Sequence, residues 1–393
     1  MGYIGDSIEQ ASSISPYQHG GDGYPTMIGL LTGQRIRTYI NAGIGGQTTT
    51  QIKARLQTDL IDLHTVKPAR CLVGGGTNDL PALQAAMQTS EAAGIAQAEI
   101  TWSNLAWMYD RCRAAGIEPI GRTLPPRTSF ASQIAYLNAG IRRLCERRGM
   151  HCLDIHGALV INDGTGGYIS GYSADGVHPG PAGVQAIAAR AIADLMPSFP
   201  AGGPLLARSN NSAENLVNNG LFTVDANLDG VADNWSTSGT DGTATYTIES
   251  GDTNIVGNWQ VLETTVQGSG SRTFSQLIGS PGARYAVGDV LELCGLISTD
   301  IESGGSKPTI KVTFANGTPY SSAIAVYILS SDVTRAVFWV RVPVPSGTTS
   351  CSLQLINSEA SPRGTGTVKI AQVTLINLTR MGLGTNSDLR LTA

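Results

Sequence analysis

The chain has 393 residues, long for one ordinary domain, so two or three are expected. Only 14% of the residues are charged and 48 are glycine, a balance that suits strands, tight turns and a sugar-facing surface better than a solvated helical bundle. The net charge of −4 removes the electrostatic reason to expect nucleic acid or an anionic membrane as a partner, and no apolar run is long enough to span a bilayer.

The first element is Tyr3-Ile4-Gly5-Asp6-Ser7-Ile8, a short apolar run that ends in glycine, aspartate and serine. Strand, sharp turn and helix start would put the Ser7 hydroxyl at the C-terminal edge of a sheet, where open α/β sheets keep their ligands. The strand begins almost at Met1. No signal peptide is expected before it, so the reading is either a cytosolic enzyme with a minimal start or, favoured here, a piece cut from a longer chain at a domain boundary. Ile36–Asn41 reads as the next strand, followed by the glycine turn Ala42–Thr48 and a helix with Ile52, Leu56, Leu60 and Leu63 at helical spacing. Ala69–Val73 is a third strand, ending in Gly74-Gly75-Gly76-Thr77-Asn78-Asp79. One long helical region follows, with Ile100, Leu105, Met108 and Cys112 on one face. Ile117–Ile120 is a strand, Tyr136–Arg148 an amphipathic helix and His151–Ile155 the last strand. A glycine-rich loop leads to Asp175-Gly176-Val177-His178-Pro179, and the helix after it buries Val184, Ile187, Ala191, Ile192 and Leu195.

Strands alternating with helices predict a parallel sheet covered by helices on both faces. Right-handed crossovers then bring every strand's C-terminal end to one edge, so Ser7, Gly46, Asn78 and His178 become neighbours. Near Pro197 the pattern changes. Residues 200–214 look like a linker, and beyond Asn215 about eight short alternating runs separated by Gly, Ser, Asn and Pro predict a β-sandwich or jelly roll. The division expected is 1–199, linker 200–214, 215–380 and a polar tail 381–393. The six cysteines show no CxxC and no metal spacing and read as buried free thiols.

Acyl transfer by serine needs a base, a carboxylate that fixes the base's tautomer, and donors for the oxyanion. Asp175 and His178 are three residues apart, so one tight turn can aim the carboxylate at one ring nitrogen and the other nitrogen at Ser7. The oxyanion donors expected are the N–H of Ser7, the N–H of Gly46 and the side-chain amide of Asn78. Each piece alone is a common turn; the four at strand ends, together, carry the reading. His19 and His64 fall outside the pattern, as does His151, whereas His156 is near enough to line the cleft.

These four blocks, Gly5-Asp6-Ser7, Asn41 to Gly46, Gly76 to Asp79 and Asp175 to Pro179, resemble those of the SGNH (GDSL-like) hydrolases, in the family's order and over roughly residues 1 to 197. The resemblance implies a three-layer α/β/α sandwich with a five-stranded parallel sheet, flavodoxin-like in its winding. It also implies an esterase with Ser7 as nucleophile, His178 as base, Asp175 as its orienter and Gly46 and Asn78 as oxyanion donors, with no cofactor for catalysis. The second block carries Gly45-Gly46 where a Ser-Gly pair is frequent.

In the second half, Asp225, Asn227, Asp229 and Asp233 surround Gly230 with oxygens at alternate positions, which resembles the start of a calcium loop but has Ser236 where a bidentate Glu would complete it. The alternative is a turn knitted by Asx hydrogen bonds. Asn218 to Phe222 leading to Asp233-Asn234-Trp235 resembles the opening of carbohydrate-binding jelly rolls, modules also found in phage and prophage tail proteins. Trp235 and Trp259 would either stack on sugars or pack in the core. The sequence therefore predicts a serine esterase removing O-acetyl groups from a polysaccharide, extracellular or virion-associated, with no nucleic-acid or membrane partner and with room for a homo-oligomer. The rivals are a lipase or thioesterase, and a receptor-binding tail component.

Overall fold

The computed structural model describes residues 1–11, 19–21, 23–62, 67–210, 212–239, 243–266, 272–301, 308–315, 321–327, 332–356 and 365–383. The chain divides into two compact units. One comprises Met1–Ile14, Asp22–Ile28 and Ile36–Phe199, the other Ser15–Gly21, Gly29–Arg35 and Pro200–Ala393.

The first unit is built on five parallel strands: β1 (Gly2–Gly5), β2 (Ile40–Gly43), β3 (Arg70–Val73), β4 (Glu118–Arg122) and β5 (Cys152–Leu153). Their order is β2-β1-β3-β4-β5, with Ile4 between Ala42 and Val73. From β1 the chain steps one way to β2 and then the other way to β3, β4 and β5. Right-handed crossovers thus place helices on both faces, and a crevice opens at the switch point between β1 and β3. Tyr3, Ile4, Leu72, Val73 and Ile120 are fully buried, as strands covered on both sides must be.

The helices are α1 (Ser7–Gln10), α2 (Tyr24–Leu31), α3 (Thr49–Leu56), α4 (Leu80–Thr89), α5 (Glu91–Ala114), α6 (Ala131–Arg147), α7 (Ile155–Leu159) and α8 (Pro181–Leu195). The long region expected after Asp79 is two helices, because Ser90 adopts extended backbone and its hydroxyl caps α5 by accepting the Ala93 N–H. Leu105, Met108 and Cys112 are buried on α5, while Ile100 is exposed and Thr101 and Asn104 face inward instead. β2 starts at Ile40, four residues later than its apolar pattern suggests, and β5 is only two residues long, because Asp154 caps α7 through the Gly157 N–H. Among the described residues no helix is long and apolar enough to cross a membrane.

The second unit contains β6 (Ser236–Ser238), β7 (Thr243–Glu249), β8 (Trp259–Val266), β9 (Thr273–Gly279), β10 (Val290–Ile301), β11 (Thr309–Ala315), β12 (Ser321–Tyr327), β13 (Val333–Pro343), β14 (Ser350–Ile356) and β15 (Gly366–Asn377). They form two sheets, β12-β11-β14-β9-β6 and β13-β10-β15-β8-β7, antiparallel throughout. Ile310, Leu353 and Leu355 of one sheet face Phe338, Ile370 and Val373 of the other across the interior, which makes a sandwich. β9 escapes sequence reading because its pattern is inverted. Gln276 is buried, its amide paired with both polar groups of the Asn218 backbone, and Leu277 is 70% exposed. Trp235 stacks on Phe274 at 4.5 Å and Trp259 is buried, so both tryptophans pack in this unit rather than offering faces to sugars.

The stretch read as a linker is packed into the second unit: Ala207 exchanges hydrogen bonds with Gln372, and Asn210 holds Asn219, Leu221 and Thr223. Two pieces of the N-terminal region also belong to this unit. His19–Gly20, expected in a loop, is a short strand parallel to β12, and the Gln34 amide donates to the Val337 carbonyl. His64 and residues 384–393 of the expected tail lie outside the described residues.

Candidate active site

Ser7 opens α1 directly after β1. Asp6 is the N-cap: its Oδ1 accepts the Ile8 N–H at 3.0 Å, while Glu9 reaches back to accept the Asp6 N–H at 3.1 Å. As the first helical residue, Ser7 has no intrahelical acceptor for its own N–H. His178, 171 residues away in sequence, places Nε2 at 2.9 Å from the Ser7 Oγ, and its Nδ1 lies 2.7 Å from Asp175 Oδ2. The Asp175 Oδ1 accepts the backbone N–H of Val177 and of His178, both at 2.8 Å. Partial burial works against the Asp175 carboxylate, but these hydrogen bonds, from the His178 ring above all, outweigh it and hold the carboxyl well below the usual range. It therefore stays ionised wherever His178 has to be held.

The glycine turn after β2 is beside the serine. A Cβ added to Gly45 would lie 3.7 Å from the Ser7 Cβ and 2.5 Å from the Gln10 amide oxygen. The Gly45 N–H is taken by that oxygen at 2.7 Å, whereas among the described residues the Gly46 N–H makes no hydrogen bond. Gly46 has φ +76°, a left-handed conformation, and open space around its α carbon. Asn78 follows β3 in a 3₁₀ turn, and its side-chain amide donates to the Gln47 carbonyl at 3.0 Å. One N–H of that amide is thus used to lock it against the glycine turn, and the second is left over. Asp79, buried, accepts the Thr49 N–H and hydroxyl and so ties the Asn78 turn to the start of α3; burial raises its pKa against those bonds.

The structure thus brings Ser7, His178 and Asp175 into one hydrogen-bonded chain and sets Gly45–Gly46 and Asn78 around it. A hydroxyl bonded to an imidazole whose other nitrogen is held by a carboxylate is the arrangement that makes serine a nucleophile. His156 is half-buried on α7, its backbone N–H bonded to the Thr123 hydroxyl, and burial lowers its pKa. In the second unit, the oxygens of Asp225, Asp229 and Asp233 accept backbone N–H groups of their own loop, and Asn227 donates to Asp229. Among the described residues no three His, Cys, Asp or Glu side chains are grouped to hold a metal ion.

Sequence reading missed what lies under the serine. Arg122, at the end of β4, is fully buried and donates to both Glu9 oxygens, at 2.6 and 2.9 Å, and to Asp6 at 3.3 Å. Burial alone would lower the Arg122 pKa; Glu9 and Asp6 reverse this and raise it. Two signals are in the sequence: Asp6-x-x-Glu9 has capping-box spacing, and Arg122 is a charge that directly follows the apolar run Pro119-Ile120-Gly121.

Residues 3–186 match the family model of the GDSL-like lipase/acylhydrolase family. This part of the chain is similar to GDSL-like lipase/acylhydrolase domains. A curated relative, the uncharacterized lipoprotein YqeF of Bacillus subtilis (strain 168), is 37% identical over 87 residues, which is 22% of this chain and 32% of that protein. The match therefore spans about a third of that relative's length. Among solved structures, a GDSL-like lipase from Bacteroides thetaiotaomicron is similar over 50% of this chain and 88% of its own, at 20% identity and TM-score 0.39. The acetylxylan esterase Axe2 of Geobacillus stearothermophilus is similar over 49% of this chain and 92% of its own, at 20% identity and TM-score 0.40. Tailspike protein 4 of bacteriophage CBA120 is similar over 42% of this chain and 22% of its own, at 18% identity and TM-score 0.32.

Proposed function

We propose that the GDSL-like domain is a serine esterase that removes short acyl groups, chiefly O-acetyl, from a polysaccharide. The observation that carries the reading is the continuous chain from Ser7 Oγ through His178 to Asp175, at 2.9 and 2.7 Å. Ser7 Oγ attacks the ester carbonyl as His178 Nε2 takes its proton. The negative charge on the carbonyl oxygen falls to the N–H groups of Ser7 and Gly46 and the spare amide N–H of Asn78. His178 gives the proton to the leaving sugar oxygen; it then takes a proton from water as the water oxygen bonds to the acyl carbon, and returns it to Ser7 Oγ as the bond to the acid breaks. Every proton and charge in these steps is handled by the chain's own groups.

Support for a short acyl group comes from the recess beside the serine. It has a volume of about 80 Å³ and is walled by Ile8, Ala11, Tyr24, Pro179 and Val184. An apolar cavity of about 150 Å³ takes a benzene ring, so this one suits two or three carbons and is far too small for a pyranose. Support for a polymeric substrate is the β-sandwich unit, whose sequence resembles glycan-binding modules. We place the enzyme outside the cell or on a virion, where such polymers are met.

The test is acetate release from a panel of acetylated polysaccharides, with a series of aryl esters alongside. Acetate should be released from at least one polymer, and kcat/KM should fall roughly tenfold or more from acetyl to octanoyl esters. Equal turnover of octanoyl esters would turn the reading towards a lipase.

A further inference from the structure

The triad does not account for what fixes the serine. Asp6, Glu9 and Arg122 beneath it have no solvent exposure at all. Two carboxylates and one guanidinium are buried together, an arrangement that stability alone does not favour, since well-packed apolar side chains of similar volume usually serve as well. The chain also gives up side chains to make room. A Cβ on Gly5 would meet Glu9 Oε2 at 1.9 Å, and one on Gly74 would meet Arg122 Nε at 2.4 Å. Gly5 of β1 thus leaves room for the Glu9 carboxylate, and Gly74, in the loop after β3, for the Arg122 guanidinium.

What the cluster holds is the backbone on both sides of Ser7. Glu9 Oε2 accepts from Arg122 Nη2 at 2.9 Å and from the Asp6 N–H at 3.1 Å. Asp6 Oδ1 accepts from Arg122 Nη2 at 3.3 Å and from the Ile8 N–H at 3.0 Å. The amides before and after Ser7 are therefore each tied to one guanidinium through one carboxylate. The Ser7 N–H and Oγ lie between them. The Tyr24 hydroxyl completes the Glu9 coordination at 2.7 Å.

Resting on the serine-esterase reading, we propose that Arg122 and Glu9 are positioning residues for Ser7: they aim its hydroxyl at His178 and its N–H at the oxyanion without touching the ester. The fork of a guanidinium is what makes this work, because two parallel hydrogen bonds fix orientation as well as distance. Misplacement of a reacting group by about 1 Å costs on the order of a hundredfold in rate.

The experiment uses the full chain and the variants Arg122→Lys, Arg122→Met and Glu9→Gln. An organophosphonate that labels Ser7 counts the active sites, aryl acetate gives kcat and KM, and a melting curve gives stability. Expected is a fall in kcat per labelled site, in the order parent, Arg122→Lys, Arg122→Met, reaching roughly tenfold to a hundredfold, with KM within about twofold. A purely structural role would lower the melting temperature and the number of labelled sites and leave kcat per site intact; that result overturns the proposal. Glu9→Gln keeps the shape and an acceptor oxygen, so it answers where Arg122→Met does not fold. Failure of all three variants to fold would make the cluster a folding determinant and also sink the proposal. A parent protein that the phosphonate does not label removes the esterase reading itself, and this inference with it.

Discussion

The two halves of the catalytic chain are held in opposite ways. The serine sits on side chains that are 0% exposed, Glu9 from α1 and Arg122 from β4, 113 residues apart. The base sits on a loop where His178 is 48% and Asp175 53% exposed, and its hydrogen bonds are local. Asp175 takes the Val177 and His178 amides, the Gly176 amide goes to Ser173, and the Gly180 amide goes to the Tyr172 carbonyl. One longer tie, from the Tyr168 hydroxyl to the Val177 carbonyl at 2.7 Å, anchors the turn. Tertiary topology thus fixes the nucleophile, and turn chemistry fixes the base. Changes on the first side should cost stability together with rate, and changes on the second side should cost rate alone.

The largest effect tests both sides at once. Ser7→Ala or His178→Ala should cut turnover of an aryl acetate by roughly 10³-fold or more. The melting temperature of His178→Ala should stay near that of the parent, since an exposed side chain is removed. Activity within tenfold of the parent in both variants would remove these residues from the mechanism. Next in size is Asn78→Ala, expected to lower kcat roughly 10²- to 10³-fold with KM little changed, because its amide acts when charge develops on the carbonyl oxygen. A change in KM alone would make Asn78 a substrate-binding residue.

The same division explains what could be read from the sequence. Asp175, Gly176, Val177 and His178 carry their geometry within four residues, so spacing was enough to foresee the pairing. Gly5-Asp6-Ser7 at a strand end, and Asn78 after a triple glycine, were legible for the same reason. Arg122 was not, because its role depends on β4 ending beneath the turn after β1, a relation no local pattern carries. Ser90 was hidden by the apolar periodicity running through it, and β9 by its buried Gln276 and exposed Leu277. His19–Gly20 and Gln34 lie within the first domain's span of the sequence, whereas their partners are β12 and Val337 in the second unit. The Asp225 loop has the alternation of a cation site, and oxygens of Asp225, Asp229 and Asp233 accept amides of the same loop, the Asx bonds that its composition also allowed.

A smaller effect sharpens the comparison on the base side. Tyr168→Phe removes one hydrogen bond from the His178 loop, worth about 1 kcal/mol. Turnover should fall a few-fold through kcat while the melting temperature barely moves. A clear drop in melting temperature without loss of rate would show that this loop, too, is held by the core.

The smallest effect on the chemistry is expected from a chain ending at Phe199. Every group of the triad and both proposed side-chain and backbone oxyanion donors lie in the first unit, whose five-stranded sheet is complete without Pro200–Ala393. Such a chain loses the β12 partner of His19–Gly20 and the carbonyl that Gln34 bonds, and these segments flank α2, not the His178 loop. The serine side, whose chain leads on to His19–Gly20, should therefore loosen more than the base side. Phosphonate labelling and small-ester turnover should persist within about twofold of the full chain, since the buried Arg122 cluster is untouched. Acetate release from polymer should be lost, because the unit proposed to hold the glycan is gone. An insoluble or unlabelled product would mean that the two units fold only together, and that the cluster under Ser7 does not suffice to hold the nucleophile in place.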